Sequence, residues 1–127
     1  MAKILIVDDN DLVRTTTGAM LESAGHAVDQ TGDGNAAVEY VRETPPDLVL
    51  TDLVMPIKEG VALIRELRRT HYSGAIIAMS GGGGETDPSA LLTRAREQGA
   101  DDCVSKPFHR ADLLAKVAAL LERRGVA

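Results

Sequence analysis

Apolar residues fall along this chain in two alternating kinds of run. Ile4-Leu5-Ile6-Val7, Leu48-Val49-Leu50 and Ala75-Ile76-Ile77-Ala78-Met79 are short and unbroken, the pattern of strands buried on both faces of a parallel sheet. Between them, apolar positions recur at the spacing of amphipathic helices. Val13, Thr16, Thr17, Met20 and Leu21 share one helical face, and Gly25 stands where a glycine would end that helix. His26 to Asp29 is a weaker strand. Asp33-Gly34 is a turn, and Asn35 to Glu43 reads as a second helix with Ala37, Val38 and Val41 inward, stopped by Pro45-Pro46. Gly60 opens a third helix striped by Leu63, Ile64 and Leu67. Asp87 fits the N-cap and Pro88 the first turn of a fourth, which runs to Gln98 and closes at Gly99. Asp102 to Ser105 is a brief last strand, and Leu114, Val117, Ala118 and Leu121 mark a last helix. Five strand-then-helix units predict a doubly wound α/β fold, a five-stranded parallel sheet with right-handed crossovers and helices on both faces.

Composition narrows the classes without changing that picture. A chain of 127 residues, 44% apolar and 26% charged, suits one soluble globular domain spanning residues 1–127. A net charge of -5 leaves no electrostatic footprint for nucleic acid or an anionic membrane surface. Arg65, Arg68 and Arg69, like Arg123 and Arg124, read as solvated helix ends. Cys103 is the only cysteine, so no intrachain disulfide forms. No stretch approaches the ~20 apolar residues of a membrane span, and Ile4 to Val7 is too short for a signal-peptide core. The expected location is cytoplasmic.

The chemistry gathers at the strand ends. All strands of a parallel sheet finish on one edge, where open α/β sheets bind their ligands. Asp8 and Asp9 follow the first run, Asp52 the central one, Ser80 the fourth and Lys106 the fifth. Taken singly, each has a plain explanation: Asp8-Asp9 a helix N-terminus, Asp52 a turn cap, Ser80 a loop serine, Lys106 a surface lysine. Together they specify more. Converging carboxylates repel unless a cation joins them, and oxygen ligands with open positions suit a hard ion, Mg²⁺ before a transition metal. A lysine ammonium and a hydroxyl can bind the remaining phosphoryl oxygens, leaving one carboxylate to act as a nucleophile.

These segments resemble the receiver domain of bacterial two-component response regulators. The matching stretches are Ile4 to Asn10, Asp52-Leu53-Val54-Met55-Pro56 through Gly60, and Gly99-Ala100-Asp101-Asp102 through Lys106-Pro107-Phe108. The resemblance implies a flavodoxin-like strand order 2-1-3-4-5 and a phosphorylation-dependent signalling switch. It implies Asp52 as phosphoacceptor, and Mg²⁺ held by Asp9, Asp52 and the Val54 backbone carbonyl, with Asp8 directly or through water. Ser80 would be the hydroxyl switch residue, Lys106 the phosphoryl contact, and Lys106-Pro107 a cis peptide. The implied partner is a histidine kinase or histidine phosphotransfer protein, with no nucleic acid and no membrane. Two departures stand out. Cys103 occupies the place of the usual tyrosine or phenylalanine, and Gly81 to Gly84 lengthen the stretch after Ser80.

Two rivals keep the same residues. A phosphohydrolase that passes through an aspartyl phosphate carries its nucleophile on the first strand, usually as Asp-X-Asp, where this chain has Asp8-Asp9-Asn10. A phosphorylation-independent interaction module would have a decayed site. Gly81 to Gly84 lack the Gly-Lys-Ser/Thr ending of a P-loop. His26, His71 and His109 have no ligand spacing and read as surface residues. Cys103 reads as an inert core residue.

Overall fold

A computed structural model of the chain describes residues 2–53, 60–80, 88–106 and 108–125, with the side chains of residues 88, 89 and 91 outside that description. Strands β1 (Lys3–Val7), β2 (Ala27–Thr31), β3 (Leu48–Asp52), β4 (Ala75–Ser80) and β5 (Asp102–Ser105) alternate with helices α1 (Asp11–Ser23), α2 (Gly34–Glu43), α3 (Gly60–Arg69), α4 (Pro88–Gln98) and α5 (Arg110–Arg123). The strands pair in parallel in the order β2-β1-β3-β4-β5, as the resemblance implies.

The unbroken apolar runs follow from burial on both faces. Leu5, Val7, Val49, Ile76 and Ala78 pack on one side with Ala37 and Val41 of α2, Leu63, Ile64 and Leu67 of α3, and Ala95 of α4. Ile4, Ile6, Leu48, Leu50, Ile77 and Met79 pack on the other side with Leu21 of α1 and with α5. Successive strand residues alternate between the two clusters, so both register positions are apolar until the carboxyl ends, where Thr51, Asp52 and Ser80 are the buried polar residues. Each fully buried Leu or Ile contributes about 2 kcal/mol of transfer free energy. Edge strand β2 has only partial cover, and its sequence signal is correspondingly weak.

The helix ends carry the expected punctuation. Asn10 caps α1 by accepting the Val13 N–H, and Asp33 caps α2 by accepting the Asn35 N–H. Gly25 and Gly99 follow α1 and α4 with φ of +93° and +123°, the left-handed backbone that favours glycine.

Some inward faces differ from those predicted. Thr16 is exposed, and Gly18 is buried on the α1 face beside Thr17 and Leu21. In α5 the buried set is Leu113, Val117, Leu120 and Leu121, while Ala118 is exposed and Leu114 only half-buried. The leucine pairs 113–114 and 120–121 allow either stripe, and packing against the sheet selects the one that buries the larger side chains. Asp52 is the last residue of β3, not the first residue beyond it. His26 is half-buried, its Nδ1 accepting the Ala2 N–H; burial holds its imidazole below the ordinary value.

The arginine clusters are more than solvated helix ends. Arg68 donates from Nε and Nη2 to the Gly99 carbonyl, from Nη1 to the Tyr72 and Gly74 carbonyls, and from Nη2 to Asp101. Arg124 reaches Asp101 and the Ser73 carbonyl. Both arginines tie together backbone at the edge where the strands begin.

Candidate functional site

The opposite edge holds the acids. Parallel register brings Val7 level with Thr51, Asp52 level with Met79, and Ser80 level with Ser105. Backbone bonds carry the ladder one step past the strands: Asp8 N–H donates to Thr31 O at 3.1 Å, Leu53 N–H to Met79 O at 3.0 Å, and Lys106 N–H to Ser80 O at 2.6 Å. The residues after β1, β3 and β5 are therefore fixed to the sheet. One carboxylate oxygen from each of Asp8, Asp9 and Asp52 lies within 4.8 Å of the other two. Asp8 and Asp52 are buried, whereas Asp9 is exposed and leaves the cluster open on one side.

Lys106 lies against the two buried acids. Its Nζ is 2.9 Å from Asp8 Oδ2 and 3.5 Å from Asp52 Oδ2. Asp8 Oδ1 accepts the Asn10 N–H at 2.9 Å, so both of its oxygens are engaged. Three carboxylates against one ammonium leave excess negative charge in a partly desolvated place. Oxygen-only donors with an open side fit a hard divalent cation, and Mg²⁺ with retained waters fits better than a softer metal.

Ser80 is fully buried, and its Oγ has no hydrogen-bond partner among the described residues. An orphaned hydroxyl at the end of a core strand is uncommon. Gly60 shapes the site from behind. A Cβ there would stand 2.1 Å from the Asp52 carbonyl oxygen and 2.5 Å from Leu53 Cα, so only glycine lets α3 start against the end of β3. Cys103, on β5 beside Ala78, is buried, and burial pushes its thiol up, as suits an unreactive core residue.

The structure thus brings Asp8, Asp9, Asp52 and Lys106 together, and sets Ser80 at the end of the strand beside Asp52. Val54, Pro107, the run Gly81 to Gly84 and the Asp87 cap lie outside the described residues. Sequence reading missed two nearby contributors. Gly60 was legible only as a helix opener, and Arg14 belonged to no recognisable motif, yet its Nη1 donates to the Asp8 carbonyl at 2.5 Å. Its place one turn into the helix after an acidic pair is the available signal. A groove of about 660 Å³ lined by Pro46, His71, Tyr72 and Arg124 lies at the opposite edge of the sheet, remote from the acids.

Comparison with known proteins gives the same picture. The chain is 36% identical over 123 residues to the virulence transcriptional regulatory protein PhoP of Salmonella choleraesuis, covering 97% of this chain and 53% of that protein. It is 35% identical over 121 residues to the transcriptional regulatory protein PhoP of Escherichia coli, covering 95% and 52%. The chain thus spans about half the length of the curated relatives it matches. Among solved structures it resembles the receiver domain of NtrX from Brucella abortus, with TM-score 0.86, 27% identity, and 94% of this chain and 98% of that one covered. The chemotaxis protein CheY4 of Vibrio cholerae superposes with TM-score 0.83 at 27% identity, covering 95% and 99%. Among the described residues no helix is long and apolar enough to cross a membrane. A sequence model of the response regulator receiver domain matches residues 4–118, and with the strand order and acidic edge already described, the chain belongs to that family.

Proposed function

We propose that this receiver is a phosphorylation-dependent switch that takes a phosphoryl group onto Asp52 from a phosphohistidine of a histidine kinase or phosphotransfer protein, with Mg²⁺ as cofactor. The observation that carries this reading is the meeting of the Asp8, Asp9 and Asp52 carboxylates within 4.8 Å, next to the Lys106 ammonium. Asp8, Asp9 and Asp52 would hold the ion, together with the Val54 backbone carbonyl. Bound there, Mg²⁺ supplies neutralisation of phosphoryl oxygen charge.

The remaining chemistry belongs to the chain. An Asp52 carboxylate oxygen attacks phosphorus, and the new O–P bond forms as the donor's P–N bond breaks, its electron pair leaving on the donor imidazole. Burial of Asp52 limits competing water. Lys106, held 3.5 Å from Asp52 Oδ2, is placed to donate to a phosphoryl oxygen, since an ammonium has three donors. The orphaned Ser80 hydroxyl supports its role as a second donor, one that gains a partner only when the phosphoryl group arrives. Hydrolysis of the acyl phosphate resets the switch, so the only chemistry is self-phosphorylation and self-dephosphorylation.

Acetyl phosphate with Mg²⁺ tests this directly. Mass spectrometry is expected to find one added phosphoryl group per chain, absent in Asp52→Asn. Undiminished labelling of that variant would refute the assignment, and multiple turnover of a simple phosphate ester would favour a phosphohydrolase.

A further inference from the structure

We propose that Arg14 is a positioning residue, which aims the Asp9 carboxylate at the cation site by anchoring the peptide before it; this rests on the Mg²⁺ reading above. Arg14 lies on α1 and its guanidinium reaches back to the end of β1. Nη1 donates to the Asp8 carbonyl oxygen at 2.5 Å, and Nη2 pairs with Asp11 Oδ1 at 2.5 Å. The Asp11 side chain is 87% exposed, so that ion pair adds little. The carbonyl bond comes from a side chain only 17% exposed and is the specific contact.

A glycine closes the arrangement. A Cβ at Gly32, in the turn between β2 and α2, would stand 3.0 Å from Arg14 Nη1, 3.5 Å from the Asp8 carbonyl oxygen and 3.7 Å from Asp9 Cα. Any larger residue would press on the guanidinium. Gly32 therefore lets the turn close over Arg14 and box it against the Asp8 peptide.

The consequence falls on Asp9. Its side chain is exposed, so packing does not aim it. Its direction is set by the two peptide planes that flank its Cα, each rigid in itself. The plane after it is held by the Asn10 N–H, which donates to Asp8 Oδ1 at 2.9 Å. The plane before it carries the Asp8 carbonyl that Arg14 grips. The Asp8 N–H, bonded to Thr31 O at 3.1 Å, fixes the residue upstream. Release of Arg14 would free one of the two planes while leaving the sheet intact.

Charge and positioning predict opposite signs. As a bare cation near the acids, Arg14 would repel Mg²⁺, and removing it would tighten binding. As a positioning residue it supports a ligand, and removing it weakens binding. Groups that orient metal ligands are worth about 10–100-fold in affinity. A grip exerted through backbone belongs at the low end, about tenfold.

Isothermal titration with Mg²⁺ at fixed ionic strength, alongside thermal melts, separates these on the full chain. Arg14→Met is expected to bind Mg²⁺ about tenfold more weakly. Arg14→Lys keeps the charge but cannot span both acceptors, and should weaken binding less. Gly32→Ala leaves every charge in place and should also weaken it, whereas Arg42→Met, a remote cation, should not. Affinity in Arg14→Met equal to or tighter than wild type overturns the proposal. Should that variant fail to fold, unchanged affinity in both Gly32→Ala and Arg14→Lys overturns it equally. A wild-type chain that takes up no Mg²⁺ overturns the metal reading itself, and this inference with it.

Discussion

Replacing Lys106 with methionine asks whether the ammonium holds the cation place at the acidic edge until Mg²⁺ arrives. Its Nζ stands 2.9 Å from one buried carboxylate and 3.5 Å from another. At an effective dielectric of about 20, each attraction is worth roughly 5 kcal/mol before desolvation. Desolvation takes back several kcal/mol per ion, and loss of one partner of a buried pair usually costs about 3–5 kcal/mol. Lys106 retains some exposure, its side chain being 16% accessible, so about 3 kcal/mol is the better figure. For a domain of this size that lowers Tm by about 12 °C, taking about 4 °C per kcal/mol. On the proposed Mg²⁺ reading, the same change removes a competitor for the metal. Mg²⁺ should therefore raise the Tm of Lys106→Met by more than it raises that of the wild type, through ordinary linkage to the folded state. Melts over a Mg²⁺ series, with Ca²⁺ and matched ionic strength as controls, measure both effects. A variant as stable as wild type without metal would show that the ion pair contributes nothing. An equal Mg²⁺-induced rise in the two proteins would show that Lys106 and the metal do not share the acids.

Gly60→Ala should destabilise by about 3 kcal/mol or more in denaturant titration, because its Cβ meets the Asp52 carbonyl at 2.1 Å and backbone cannot step aside cheaply. Asp101→Ala should cost about 2 kcal/mol, since Asp101 Oδ2 accepts from Arg68, Arg124 and the Ile76 N–H, which would lose this acceptor; Asp101→Asn, which keeps an acceptor, should recover part of it. Phenolate absorbance should lag in the folded chain: burial and the Asp29 hydrogen bond push Tyr40 up to about 12, and burial outweighs Arg68 and Arg124 to push Tyr72 up as well. Above the ordinary value of 10.0 the unfolded chain sheds protons the folded chain keeps, so stability falls as pH rises from there towards about 12; tyrosines titrating at their ordinary value in the folded protein would contradict this.

The parts of the fold visible in sequence are those where one physical demand acts alone. Strands β1, β3 and β4 are buried on both faces, so their residues read as unbroken apolar runs. Edge strand β2 carries Asp29 and Gln30 at exposed positions and reads weakly for that reason. Helix α5 offered two leucine stripes, and only contact with the sheet decides between Leu113 and Leu114. The site was legible by topology: parallel strands end together, so Asp8, Asp52, Ser80 and Lys106 could be placed on one edge from their positions after the apolar runs. Arg14 was not, because its contact is with a backbone carbonyl, and backbone acceptors leave no mark in a sequence.

The arginines at the other edge show why burial and charge alone would not have located the site. A guanidinium has five N–H donors. Arg68 makes five bonds, two to the Gly99 carbonyl and one each to Tyr72 O, Gly74 O and Asp101. Gly99 is required there as well, since a Cβ would fall 2.6 Å from Arg68 Cγ. Each donor on Arg68 has an acceptor among the described residues, so that guanidinium is spent on holding the edge together. The carboxyl edge has the contrary balance. Lys106 faces two carboxylates, a third stands exposed beside them, and a buried serine hydroxyl has no partner among the described residues. Surplus negative charge and an orphaned donor, held on the stiff ends of core strands, are deficits that a divalent cation and a phosphoryl group would correct together. A charged cluster that satisfies itself stabilises the fold, and one left unsatisfied at a sheet edge has the chemistry to receive a ligand.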